Sequence, residues 1–78
     1  METIYLVLIA NTKDICFASF DQYTAQQKCH KAAKLAKTPC EVKRENFYSL
    51  PVEVRDELIR TSKEIREHVG KIHNVGTL

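Results

Sequence analysis

The sequence contains no tryptophan and only two glycines, two prolines and three cysteines among its 78 residues. With glycine only at positions 70 and 76, the chain has no Gly-rich loop of the kind that holds phosphate groups. Cys16, Cys29 and Cys40 are odd in number and widely spaced, which does not suit a secreted fold held by disulfides. They also form no Cys-x-x-Cys pair of the kind used by structural zinc sites. We therefore expect reduced thiols, no metal and no cofactor.

Long apolar runs and a strong excess of one charge are also lacking. The longest apolar run, residues 4–10, has seven residues, whereas a helix that crosses a membrane needs about 20. No basic leader precedes this run, so it does not resemble a secretory signal. The formal net charge of +2 is too small to name a partner by itself. We expect one domain, residues 1–78, in the cytoplasm and without a membrane partner.

Three segments of the sequence have the pattern of β-strands. Residues 4–9 are apolar on both alternating faces, which is typical of a central strand covered on both sides. Turn-forming residues at 11–14 separate them from a returning strand at 15–20, so the two form an antiparallel hairpin. Residues 40–46 are rich in charge, and such charges commonly protect a strand at the edge of a sheet.

Two helices are predicted. The first covers residues 21–37, because Asp21 is a good N-cap and Pro39 cannot continue a helix. The second covers residues 49–70, with Ser49 as the cap, Pro51 in the first turn and Gly70 as the end. One side of the first helix consists of small residues, which are Ala25, Cys29, Ala32, Ala33 and Ala36. This side must pack closely on whatever it covers.

The predicted fold is α+β with the order β-β-α-β-α. A right-handed crossover places the third strand beside the first, so the antiparallel sheet has the strand order 2-1-3 and packs with two helices. Two arrangements remain open: one helix on each face, or both helices on one face. The second would leave an apolar face open for a second copy of the chain. That face would comprise Tyr5, Val7, Ile9, Cys16, Ala18 and Phe20.

The first helix also presents a cationic side. The residues that we expect to bind a partner are Tyr23, Gln27, Lys28, Lys31, Lys34 and Lys37, together with Lys43 and Arg44 on the third strand. Their positive charge suits an acidic surface on a larger protein, and it also suits the phosphates of nucleic acid. The lysines spread over half of the helix circumference, and Tyr23 is the only aromatic ring on this helix. We therefore favour a protein partner, with nucleic acid or a merely solvated face as the alternatives.

Enzymatic chemistry has little support in the sequence. Cys29 and His30 are adjacent on the first helix and point about 100° apart, so they do not converge on one ion. Burial of Cys29 on the small side of the helix raises the pKa of its thiol and makes it unreactive. The chain contains neither a Gly-x-Ser-x-Gly elbow nor a metalloprotease helix. We expect a protein without enzyme activity.

In its overall organisation this short, motif-poor chain resembles the accessory proteins of bacteriophages and mobile elements, including inhibitors of host defence systems. The resemblance assigns no role to any individual residue. It implies action in the host cytoplasm by occupation of a surface on a larger protein. Charge complementarity then governs specificity and encounter rate more than affinity.

Overall fold

The computed structural model describes residues 2–74. Within them, three strands and three helices form an α+β fold, which confirms the predicted fold class. The elements are β1 (Thr3–Ile9), β2 (Ile15–Ser19), α1 (Gln22–Ala36), β3 (Cys40–Asn46), a short 3-10 helix (Phe47–Ser49), α2 (Val52–Thr61) and α3 (Lys63–Asn74). The sheet has the order β2-β1-β3 and is antiparallel throughout, as predicted. No helix within residues 2–74 is long and apolar enough to cross a membrane.

The central strand β1 is buried on both of its faces. Ile4, Leu6 and Leu8 lie on one face and join the main hydrophobic core, whereas Val7 is fully buried on the other. The buried members of the core are Ile4, Leu6, Leu8, Ala18, Phe47, Leu58 and Ile65. This strand therefore has the two-sided cover that its continuous apolar sequence predicts.

The helices lie on opposite faces of the sheet. Leu58 of α2 and Ile65 of α3 pack into the core on the Leu6 face. On the other face, Cα atoms of α1 lie within 8 Å of Cα atoms in all three strands. This close approach is possible because Ala25 and its neighbours have small side chains. The arrangement with both helices on one face, and the open face that it would leave for a second copy, is therefore wrong.

An irregularity in β2 changes which of its residues face the core. Val7 pairs with Phe17, but Leu8 pairs with Ile15, so Cys16 is an extra residue opposite β1. A single inserted residue reverses the alternation of side chains along a strand. As a result Ala18 pairs with Leu6 and enters the core, instead of lying on the face of Val7 as predicted.

The predicted second helix is in fact two helices. Ser62 is extended, with φ −112° and ψ 116°, and separates α2 from α3. Its hydroxyl accepts a hydrogen bond from the backbone N–H of Ile65 at 3.3 Å, as an N-cap does. The Glu64 carboxylate accepts from the hydroxyl of the fully buried Ser19 at 2.7 Å, which ties the start of α3 to β2. This break directs Ile65 into the core.

The predicted end of the helix at Gly70 is also wrong. Helix α3 continues through this residue to Asn74. A glycine inside a helix costs only about 1 kcal/mol relative to alanine. The half-buried Val69 and His68 hold this part of α3 against the core: Val69 packs on the cluster, and the His68 ring stacks on Phe20 with 4.0 Å between ring centroids. Tertiary packing therefore outweighs the local preference of Gly70.

Candidate binding face

Both ends of α1 are fixed by local interactions. The Asp21 carboxylate accepts hydrogen bonds from the backbone N–H of Thr24 at 2.8 Å and from the Thr24 hydroxyl at 2.6 Å. The bond from the Thr24 side chain, followed by that from its backbone, lowers the pKa of Asp21. At the other end Lys37 adopts the left-handed conformation, with φ 53°, two residues before Pro39. The caps at Asp21 and Lys37 match the predicted limits of the helix.

The side of α1 opposite the sheet carries four of the eight predicted binding residues, together with Leu35. Tyr23, Gln27, Lys31 and Leu35 follow one another at steps of four residues, and Lys34 lies three residues after Lys31, which places all five along one side of the helix. All five are exposed. We call this set the α1 face.

Positive charge predominates along α1 and its C-terminal cap. Helix α1 contains no acidic residue, and residues 21–37 hold four lysines against Asp21 alone, a net charge of +3. No described residue forms an ion pair with any of these four lysines. Lys28 lies at the border of the α1 face, where its Nζ approaches the Phe17 ring of β2 at 5.4 Å from the centroid. The field of the other three is directed at solvent.

Two large apolar side chains accompany these lysines. Leu35 is 85% exposed and Tyr23 is 68% exposed, the highest values for large hydrophobic residues in the described part of the chain. A single exposed leucine is ordinary, but both of these residues lie among lysines on one helix. The sequence prediction missed Leu35. The available signal was its position four residues after Lys31, outside the row of small residues.

The two predicted residues of β3 lie on opposite faces of the sheet. Residues that pair across an antiparallel sheet point to the same side. Arg44 pairs with Tyr5 and therefore lies on the side of α1, whereas Lys43 pairs with Leu6 and lies on the side of α2. Lys43 also forms an ion pair with Glu45 at 3.2 Å. Arg44 can thus extend the positive surface of α1, and Lys43 cannot.

An open cleft separates α1 from β3. Its volume is about 400 Å³, and its walls are formed by Tyr23, Gln26, Gln27, Cys29, His30 and Val42. The side-chain amides of Gln26 and Gln27 and the imidazole of His30 can form hydrogen bonds beside the apolar Val42. The cleft borders the α1 face through Tyr23 and Gln27, so a partner that covers this face can insert a side chain beside them. Gln26 and His30 were not predicted as binding residues.

Cys16, Cys29 and Cys40 are free thiols; Cys16 is exposed, and the other two are half-buried. Burial is the main cause that raises the pKa of Cys29, and the neighbouring Cys40 and Glu41 add to it. Although Cys16 is exposed as a residue, its thiol donates to the Val7 carbonyl at 3.4 Å, and partial burial followed by Cys40 raises its pKa. Protonated thiols are poor nucleophiles and poor metal ligands. Among the side chains that the structure describes, no three of His, Cys, Asp or Glu are placed to hold a metal ion.

Comparisons with known proteins do not assign this site to a family. Neither the scan against protein-family models, nor the search of curated proteins, nor the search of solved structures found a match.

Proposed function

We propose that this chain is a small non-enzymatic binding protein that applies its α1 face to an acidic surface of a larger protein. The observation that supports the proposal is the combination of lysines without counter-ions and two exposed apolar side chains on one rigid helix. Phosphates require only positioned cations. Leu35 gains nothing from a phosphate backbone but can be buried by an apolar patch on a protein, so the combination favours a protein partner.

The two kinds of residue have different tasks in this proposal. Lys31 and Lys34 attract an acidic partner over a distance of about 10 Å at ordinary salt and set the orientation of approach. Tyr23 and Leu35 lose their exposed apolar area in the complex, and they slow its dissociation. Tyrosine is enriched among residues that dominate binding energy. Binding should therefore depend on salt through its association rate and on Tyr23 through its dissociation rate.

Inhibition is the mode of action that we propose for such a complex. A protein that covers an acidic surface blocks whatever basic ligand normally binds there, without any chemistry of its own. The resemblance in organisation to accessory proteins of bacteriophages and mobile elements supports a partner from a host defence system, in the host cytoplasm. The core of the proposal, contact through the α1 face, does not depend on this identification.

The test compares two single charge reversals. We expect Lys31→Glu to abolish capture of an acidic partner from a host lysate, because it reverses a charge at the centre of the α1 face. Lys43→Glu is the matched control, since it makes the same change on the other face of the sheet. Leu35→Asp should also abolish capture. Loss of the same partner in all three variants, or in none, would contradict the proposal.

Nucleic-acid binding by the same lysines is the second candidate, supported by Arg44 on the same side of the sheet. If four cations of the protein neutralise four phosphates of a duplex, the logarithm of the association constant should fall with the logarithm of the salt concentration with a slope of about −3.6. Titration of random duplex DNA across a salt series measures this slope. If Lys31→Glu weakens that binding and Leu35→Asp does not, the nucleic-acid function replaces the protein-binding one.

A further inference from the structure

The two edges of the sheet differ in how they are protected. Strands β2 and β3 both lie at an edge, because β1 is between them. Strand β3 carries the charged residues Glu41, Lys43, Arg44 and Glu45, a common protection against pairing with another chain. Strand β2 has the sequence Ile-Cys-Phe-Ala-Ser and contains no charge. Charge therefore does not oppose an added strand at β2, and its bulge at Cys16 leaves residues 17–19 as the regular part of this edge.

The backbone of β2 offers hydrogen bonds to such a strand. The Phe20 amide faces away from β1, since it donates to the Glu64 carboxylate at 3.2 Å. Bonding directions alternate along an antiparallel strand, so the amide and carbonyl of Ala18 face outward as well. Its neighbours Phe17 and Ser19 are the residues turned toward Val7 and Tyr5. No strand in the described part of the chain pairs with this outer edge.

A groove of about 1020 Å³ runs along this edge, between β2 and α2. Its apolar lining includes Ile15 and Ala18 from β2, with Val54 and Leu58 from α2. Ile15 remains 36% exposed because α2 does not fully cover it. A ten-residue helix is about 15 Å long, and a five-residue strand about 17 Å. The two walls of the groove therefore match in length.

Six charged residues line this groove, and two of them, Glu53 and Lys63, lie at its opposite ends. The end beside Ser19 contains Lys63, because the hydrogen bond from Ser19 to Glu64 fixes the start of α3 there. The end beside Ile15 contains Glu53, because Ile15 shares a second cavity with Pro51 and Val54 of the start of α2. Glu53 makes no ion pair with a described residue, and Lys63 pairs only with Glu67 at 3.9 Å. Of the other charged lining residues, Lys13 pairs with Glu41, Glu57 pairs with Arg60, and Glu64 accepts hydrogen bonds from Ser19 and Phe20. Asp14 adds a further negative charge at the end beside Ile15.

We propose that the occupant of this groove is a second copy of the chain. The two β2 strands pair antiparallel about a two-fold axis near Phe17 and Ala18, and they join two three-stranded sheets into one of six strands. A two-fold axis brings the Glu53 end of each copy to the Lys63 end of the other, so the charges are self-complementary. A chain of 78 residues has a small core, which association of this kind supplements.

Charge reversals at the two ends test the proposal by sedimentation equilibrium of the full chain over a range of concentrations. We expect a concentration-dependent dimer for the unmodified chain. Glu53→Lys and Lys63→Glu should each raise the dimer dissociation constant about tenfold, because two attractive pairs become repulsive. The double variant Glu53→Lys/Lys63→Glu should recover the original constant within about threefold. Asp56→Lys is the control, since Asp56 lies on α2 but does not line the groove.

Hydrogen exchange gives a second measurement on the same samples. The Ala18 amide should exchange more slowly when the protein is concentrated, and circular dichroism checks that every variant is folded. A monomer at all concentrations overturns the proposal, including one that binds an extended peptide in the groove. A dimer that is insensitive to Glu53→Lys, or that only Lys31→Glu dissociates, also overturns it because the interface then lies elsewhere. The α1 proposal is unaffected by either result.

Discussion

The two faces of the sheet are covered in different ways. On one face α1 uses small residues such as Ala25, so its backbone lies close to all three strands. On the other face α2 and α3 reach the sheet through large side chains, mainly Leu58, Ile65 and the neighbouring Phe47. The first contact depends on how closely the backbones approach, and the second on how fully large side chains fill the space. Loss of side-chain volume should therefore destabilise the protein most on the side of α2 and α3, whereas added volume should destabilise it on the side of α1.

The largest effect is expected for Phe47→Ala on the side of α2 and α3. Phe47 is fully buried and makes edge contacts with Phe20 and Tyr48. Truncation of a buried phenylalanine costs about 3–5 kcal/mol of unfolding free energy, which is most of the stability of a small domain. Urea denaturation followed by circular dichroism measures the loss. Leu35→Ala is the control and should change the free energy by less than about 0.5 kcal/mol.

A smaller effect of the opposite kind is expected for Ala25→Leu on the side of α1. Ala25 is fully buried beneath the helix, so added volume forces α1 away from the sheet. Overpacking of this type costs about 1–3 kcal/mol, again measured by urea denaturation. Ala36→Leu adds the same volume at an exposed position and should be nearly neutral. If Ala25→Leu were as well tolerated as this control, the contact between α1 and the sheet would not be close enough to exclude a larger side chain.

The smallest effect is expected at acid pH, at the N-terminus of α1. The hydrogen bonds from Thr24 lower the pKa of Asp21 in the folded state below the ordinary aspartate value of 3.8. The stabilisation is therefore present above pH 3.8 and is lost as the pH falls through the lower folded pKa. Thermal unfolding across this pH range should show a steeper decline for the unmodified chain than for Asp21→Asn. Equal slopes would mean that the cap does not depend on ionisation.

Local signals were sufficient to predict the elements of the α1 side. Asp21 and Pro39 limit the helix through their own chemistry. The row of small residues indicates which side faces the sheet, except that Ala36 in the last turn is exposed and was wrongly included. The strand order also followed from the sequence, because the charges of β3 mark an edge strand and the right-handed crossover places that strand beside β1. These features depend on residues that are close together in the chain.

The features that were missed depend on contacts between distant residues. The break at Ser62 is held by the bond between Glu64 and Ser19, 45 positions apart. The side on which Lys43 lies depends on its register with Leu6, and the position of Ala18 on the extra residue in β2. No local pattern encodes these pairings. Part of the predicted binding set was therefore separated by the sheet, although Lys31 and Lys34 remained together on the α1 face.

The charged outer edge of β3 also bears on aggregation. Edge-to-edge polymerisation needs two receptive edges, one at each side of every added molecule, as in a fibre that grows by repeated strand addition. This sheet has a receptive edge only at β2, because repulsion and desolvation of the β3 side chains oppose pairing there. Any growth that begins at β2 consequently ends with the next molecule, so the charges on a single strand oppose polymerisation of the folded chain by strand addition.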